Sequence, residues 1–141
     1  MASSYVLDSS SLFTLFFMVS EEGVQKILKE SYILDLTGYE IGSILTKGND
    51  GHIKGLDREI TMDLTKEIEK VVAMIRAIKL EPLDIAEIMK LSLSTGLTFY
   101  DASYIFYCKS NQIVLLTDDK EMYREASKLG LEVKKVEEVF N

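Results

Sequence analysis

Apolar residues recur along this chain in two patterns: short unbroken runs, and longer stretches spaced three or four apart. SYVL at 4–7, YIL at 32–34 and IVLL at 113–116 are of the first kind. Each is too short for a buried helix and rich in β-branched or aromatic residues, which predicts strands covered on both faces. The second pattern predicts helices. Ser9, Ser10 and Ser11 open an apolar one through LFTLFFMV at 12–19, and a polar one follows over about 21–30 with Val24, Ile27 and Leu28 on one face. Thr37 begins a helix carrying Ile41, Ile44 and Leu45. Leu64, Ile68, Val71, Val72 and Ile75 predict a long helix over 64–79, with a brief extended piece near Leu80. Further helices are expected over 83–94, 100–110 and 120–129, with Gly96 and Gly130 ending two of them. LEVKKV at 131–136 alternates as an edge strand does. Residues 46–66, with Gly48, Gly51 and Gly55 among polar neighbours, predict an exposed excursion. Buried strands alternating with helices imply an α/β class, a three-layer α/β/α sandwich on a parallel sheet, with residues 1–141 forming a single domain.

Composition changes this picture by exclusion. The chain has 141 residues, 47% of them hydrophobic and 28% charged, which excludes disordered and low-complexity classes. Sixteen Lys and Arg against 23 Asp and Glu leave a formal charge of −7, which argues against a nonspecific duplex-DNA coat or a binder of anionic membranes. Nucleic acid stays open as a substrate, because bound cations can neutralise acidic charge locally. A single cysteine, Cys108, and a single histidine, His52, cannot build an intramolecular disulfide or a His/Cys metal cluster. Any metal must be held by oxygen. The apolar run at 12–19 falls far short of the about 20 residues that span a bilayer. No basic cluster precedes it and no small-residue cleavage pattern follows, so the expectation is a soluble, cytoplasmic protein that does not engage a membrane.

The carboxylates carry the chemistry. Ligands of open parallel sheets bind beyond the carboxyl ends of the strands. Asp8 follows the first strand, Glu40 lies six residues past the second, and Asp118 and Asp119 follow IVLL. Asp101 opens the helix that leads into that last strand. Acids converging on one edge repel one another and raise a pKa unless a cation lies between them. A hard dication such as Mg²⁺ or Mn²⁺ takes oxygen donors and bridges to phosphate, and the matching chemistry is metal-assisted phosphodiester hydrolysis. Each acid also has a structural reading. Thr37-x-x-Glu40, Thr98-x-x-Asp101 and Asp118-x-x-Glu121 have capping-box spacing, and Asp8 could cap the first helix. Capping explains the acids singly, but not their meeting at one edge.

YVLDSS, LTGYEIGSIL, GLTFYDASYIFYC and IVLLTDDKEM, in that order, resemble the acidic motifs of PIN domains, small metal-dependent nucleases whose single-domain form is typified by VapC-like toxins of toxin–antitoxin pairs. The likeness covers nearly the whole chain and is weakest over residues 46–80. It implies a parallel sheet of about five strands and a catalytic quartet of Asp8, Glu40, Asp101 and Asp119. Asp8, Asp101 and Asp119 would hold Mg²⁺ or Mn²⁺ directly or through water, Glu40 would orient the attacking water or complete the shell, and Ser10 and Thr117 would support the acids. Asp118 fills the variable place of the T-x-D pattern and could share or replace the role of Asp119. The resemblance further implies an RNA substrate cut by an endoribonuclease, a homodimer, and a cognate antitoxin protein. A PIN endonuclease of RNA processing or quality control, or a non-catalytic PIN-like RNA- or protein-binding module, would share the same residues. Haloacid-dehalogenase-type phosphatases fit less well, because they need a second Asp where this chain has Ser10.

Three other features bear on function. Lys120, Arg124 and Lys128 repeat every four residues and could guide an RNA backbone, with Lys120 nearest the acids, or they form a solvated helix face. Tyr100, Tyr104, Phe106 and Tyr107 could stack bases, or pack in a core or dimer. His52 reads as a loop residue and Cys108 as a small buried apolar one.

Overall fold

A computed structural model of the chain describes residues 4–140. Strand β1, Tyr5–Leu7, runs into helix α1, Ser9–Phe17, and then α2, Val24–Lys29. Next come β2, Ser31–Leu34, and α3, Thr37–Lys47. A wide turn at Gly48–His52 follows, in which Gly51 stands at φ +101°, a conformation glycine adopts without penalty. Helix α4, Arg58–Val72, leads to β3, Arg76–Ile78, and a 3-10 turn at Pro82–Asp84 opens α5, Ile85–Thr95. The chain continues through α6, Phe99–Asn111, β4, Val114–Leu116, α7, Lys120–Lys128, β5, Val133–Lys134, and α8, Val136–Val139.

All five strands pair in parallel, in the order β3-β2-β1-β4-β5. Leu7 lies opposite Leu116, and Ile33 opposite Ala77. Successive side chains divide the core into two. Tyr5, Leu7, Ile33, Val114 and Leu116 face a core closed by α1, α2, α3, α4 and α8. Val6, Leu34 and Leu115 face the opposite core, against Ile88 of α5, Ala102 and Ile105 of α6, and Met122 and Ala126 of α7. This is the expected three-layer sandwich, and the unbroken apolar runs exist because both faces are covered. Burying one leucine completely, as at Leu115, contributes about 1.5–3 kcal/mol. The strand order reverses between β1 and β4, so a crevice opens at the carboxyl ends of these two strands.

The expected elements shift in four places. The long helix begins six residues earlier, because Asp57 caps it by accepting the Ile60 N–H at 2.9 Å. It ends by Val72, because Arg76–Ile78 pairs with Tyr32–Leu34 as β3, so part of the expected helix is an edge strand. The excursion at 46–66 therefore divides between the end of α3, the Gly51 turn and the first half of α4. At the C-terminal end only Val133 and Lys134 are strand, and Val136 begins α8. In α1 the face carrying Ser11, Leu12 and Leu15 is buried, but Phe17 is exposed. Gly96 ends α5 at φ +76°, as expected. Among the described residues no helix is long and apolar enough to cross a membrane.

Candidate active site

Asp8 sits between β1 and α1, nearly enclosed. Its Oδ1 accepts from the Ser10 hydroxyl at 2.7 Å, the Ser11 N–H at 2.9 Å and the Ser11 hydroxyl at 3.0 Å. Its Oδ2 accepts a short hydrogen bond from Thr117. Two of the three serines after β1 thus have a physical purpose: Ser11 completes the helix cap and Ser10 fixes the carboxylate. Burial raises the pKa of Asp8, and the bonds from Ser11, Thr117 and Ser10 oppose that rise.

Thr117 and Ser10 also fix the loop after β4. The Asp119 N–H donates to Thr117 Oγ1 at 3.1 Å, and the Asp118 N–H donates to Ser10 Oγ at 3.0 Å. From that loop the two neighbouring acids part company. Asp119 caps α7, taking the Met122 N–H on Oδ1 at 2.8 Å and leaving Oδ2 without a protein partner among the described residues. Asp118 is spent elsewhere: its Oδ2 accepts from Thr14 at 2.7 Å and its Oδ1 from the Val136 N–H at 3.0 Å. Asp118 thereby ties α8 to α1, and its acidity has a structural cause.

Glu40 and Asp101 close the site from the other two helices. Thr37 is the first residue of α3 rather than its cap, so the expected capping box does not form there. Instead Tyr104 of α6 reaches across, donating its hydroxyl to Glu40 Oε1 at 2.6 Å while pairing with Thr37 Oγ1 at 2.6 Å. Tyr104 is fully buried, as a core reading of the aromatics expects. Its hydroxyl was not expected as the partner of Glu40, although a tyrosine three residues after Asp101 shares that acid's helix face. Burial raises the pKa of Glu40, Tyr104 opposes this, and the charge of Asp8 adds to it. Asp101 lies in the first turn of α6, where Thr98 caps the helix by accepting the Asp101 N–H at 3.1 Å. Its pKa is pushed up to about 6, first by burial and then by the charges of Glu40, Asp119 and Asp8, with Thr98 opposing. The four acids therefore share one electrostatic neighbourhood at the carboxyl edge.

The donors of this cluster are all hard oxygens, which suits Mg²⁺ or Mn²⁺. Among the described residues, however, no three acidic, histidine or cysteine side chains are grouped so as to hold an ion together. The fit is to a cation bound by one or two carboxylates that keeps most of its water shell, as Mg²⁺ characteristically does.

The remaining expectations resolve by position. Lys120 opens α7 directly after Asp119 and lines a cleft with Thr14, Asp118 and Lys135 that none of the four site acids lines. Arg124 and Lys128 both pair with Glu125, at 3.6 and 3.4 Å, so the basic stripe beyond Lys120 is partly offset by one carboxylate. Tyr107 is buried and donates to Asp84 at 3.2 Å, Phe106 packs partly on the second core, and Tyr100 is exposed. His52 is exposed, and burial raises the pKa of the enclosed Cys108 thiol.

No family model matches the chain. A relative named exonuclease VapC9, from Pyrobaculum aerophilum, is 32% identical over 118 residues, which span 84% of this chain and 82% of the relative. Among solved structures, the fold is similar to PAE2754 from the same organism, with a TM-score of 0.79 and 27% identity over 99% of this chain and 88% of that one. It is also similar to FitAcB from Neisseria gonorrhoeae, with a TM-score of 0.60 over 92% of this chain and 95% of that one; at 14% identity this likeness concerns fold alone. The first relative is similar enough over enough of the chain to carry a family assignment: the chain belongs to the VapC-like PIN-domain family.

Proposed function

We propose that this protein is a metal-dependent ribonuclease that hydrolyses RNA phosphodiester bonds internally and serves as the toxin of a toxin–antitoxin pair in the cytoplasm. One observation carries the reading: four acids from four separated segments lie near the point where the strand order reverses, and burial, with the charges of the other three added to it, raises the pKa of Asp101 to about 6. The relative named exonuclease VapC9 supports nuclease chemistry. A homodimer and a cognate antitoxin protein accompany this reading as expected partners.

Asp8, Asp101 and Asp119 would hold Mg²⁺ or Mn²⁺, directly or through water. Such an ion, when bound, makes water more acidic and offsets negative charge on the phosphate and leaving oxygens. The chain's own residues do the rest. Ser10, Ser11 and Thr117 hold the buried Asp8 in one orientation, so no rearrangement is needed when substrate arrives. Glu40, held by Tyr104, orients the attacking water and takes its proton, and its raised pKa brings it closer to the working pH of a base. The water oxygen bonds to phosphorus as the bond to the leaving oxygen breaks, and no side chain becomes covalently attached.

A circular single-stranded RNA tests this reading, because it has no end for an exonuclease to engage. Incubated with Mn²⁺, the wild-type protein is expected to linearise the circle and Asp8→Asn to leave it intact. Digestion of linear RNA alone would restrict the activity to exonucleolytic cutting. Equal cutting by Asp8→Asn would remove the mechanism.

A further inference from the structure

Tyr39 and Tyr100 are the residues immediately before Glu40 and Asp101, in the first turns of α3 and α6. Neighbouring helix positions lie about 100° apart, so each tyrosine is turned aside from its acid rather than stacked on it. Both rings are open to solvent, at 84% and 58% exposure, yet both line one cleft of about 340 Å³. Leu36 and Ile44 form apolar parts of its wall, Glu40 joins it to the acid cluster, and Lys47 also lines it. Lys47 has no ion pair among the described residues.

We infer that this cleft takes one unpaired base of a single-stranded RNA next to the bond being cut, with Tyr39 and Tyr100 supplying the stacking faces and Lys47 a phosphate contact. The inference rests on the nuclease reading and adds to it a base-stacking subsite with named residues. Two exposed aromatic rings from different helices in one concavity form a stacking platform, and stacking accepts any base because every base has a π-face. A lysine beside an apolar floor gives the adjoining phosphate its counter-charge in a protein whose net charge is −7. The volume lies at the lower end of the roughly 300–1,000 Å³ typical of small-ligand sites. It admits a nucleotide and not a duplex, whose base faces are hidden in the stack.

Binding of a fluorescein-labelled oligouridine, measured by anisotropy without added metal, tests the site apart from cleavage. Tyr39→Ala and Tyr100→Ala are each expected to weaken binding about tenfold, as loss of one base–aromatic stack does, without lowering the melting temperature. Tyr39→Phe restores affinity, because the ring and not the hydroxyl binds. An oligomer with a base-free ribose at one position binds the wild type about tenfold more weakly, and binds the two alanine variants no worse than the intact oligomer does. The inference is overturned if the wild type does not bind, if the alanine variants bind as the wild type does, or if base removal costs all proteins equally. It is also overturned if these variants keep RNA affinity but no longer co-purify with a co-expressed antitoxin, since the cleft would then be a protein-docking groove. Tyrosine-dependent binding without cleavage of any RNA would instead sink the nuclease reading and spare the base site.

Discussion

Removing one charge from the acid cluster should stabilise the protein while disabling it. In Asp101→Asn the side chain keeps its shape and its place in the first turn of α6, but no longer carries a charge into a half-buried position facing Glu40, Asp119 and Asp8. The rise of the Asp101 pKa from 3.8 to about 6 sets an upper bound of about 3 kcal/mol on the destabilisation its charge causes at pH 8. The side chain is partly open to water, and screening reduces that figure to about 1 kcal/mol. The sign follows from linkage. A raised folded-state pKa means that the folded protein binds the proton more tightly, so the wild type loses stability as pH rises from about 3.8 through about 6. Asp101→Asn has no such loss. In EDTA at pH 8 it should melt about 3 °C above the wild type, and the gap should close near pH 4. Saturating Mn²⁺ should reverse the order, because the wild type alone keeps its full share of binding free energy. An equal gap at both pH values, or a variant less stable than wild type at pH 8, would refute the argument.

Asp118→Asn and Asp119→Asn separate the two neighbours. The first keeps an oxygen for the Val136 N–H and a donor for Thr14, so RNA cleavage and melting temperature should stay close to wild type, whereas the second should abolish cleavage in the same gel assay. Tyr104→Phe removes the hydroxyl shared by Glu40 and the fully buried Thr37; it should cost about 1–2 kcal/mol in urea unfolding and slow cleavage without changing the metal requirement. Gln112, after α6, stands at φ +54°, a left-handed conformation that suits glycine better. Gln112→Gly should therefore raise stability by about 0.5 kcal/mol in the same assay and leave cleavage unchanged.

Much of this structure was readable where local and global preferences agree. IVLL and SYVL declare themselves as buried strands because neither face of the sheet meets water, and Asp8, Asp118 and Asp119 stand out because they closely follow such runs. The edge of the sheet was less readable. Arg76–Ile78 is three residues long and largely exposed, and it continues the helical spacing of Val71, Val72 and Ile75, so only its pairing with β2 reveals it as a strand. Within the candidate site, the T-x-D pattern cannot say which of two adjacent acids faces the cluster. That depends on Thr14 and the Val136 N–H, contacts made 104 and 18 residues away. The role of Tyr104 was hidden for a similar reason. A buried tyrosine reads as core, and the destination of its hydroxyl is a property of how α3 and α6 pack. Tyr39 carried no signal at all, since a tyrosine in an amphipathic helix is ordinary until a second ring is found across a cleft.

The central claim is that acids brought from distant parts of the chain tolerate one another because a hard dication belongs among them. Anomalous diffraction from crystals soaked in Mn²⁺ tests this directly. The account predicts a manganese peak within coordinating or water-bridged reach of Asp8, Asp101 and Asp119, with Glu40 beside its water shell. A map with no peak there, or with manganese bound only at acids elsewhere on the surface, would contradict it.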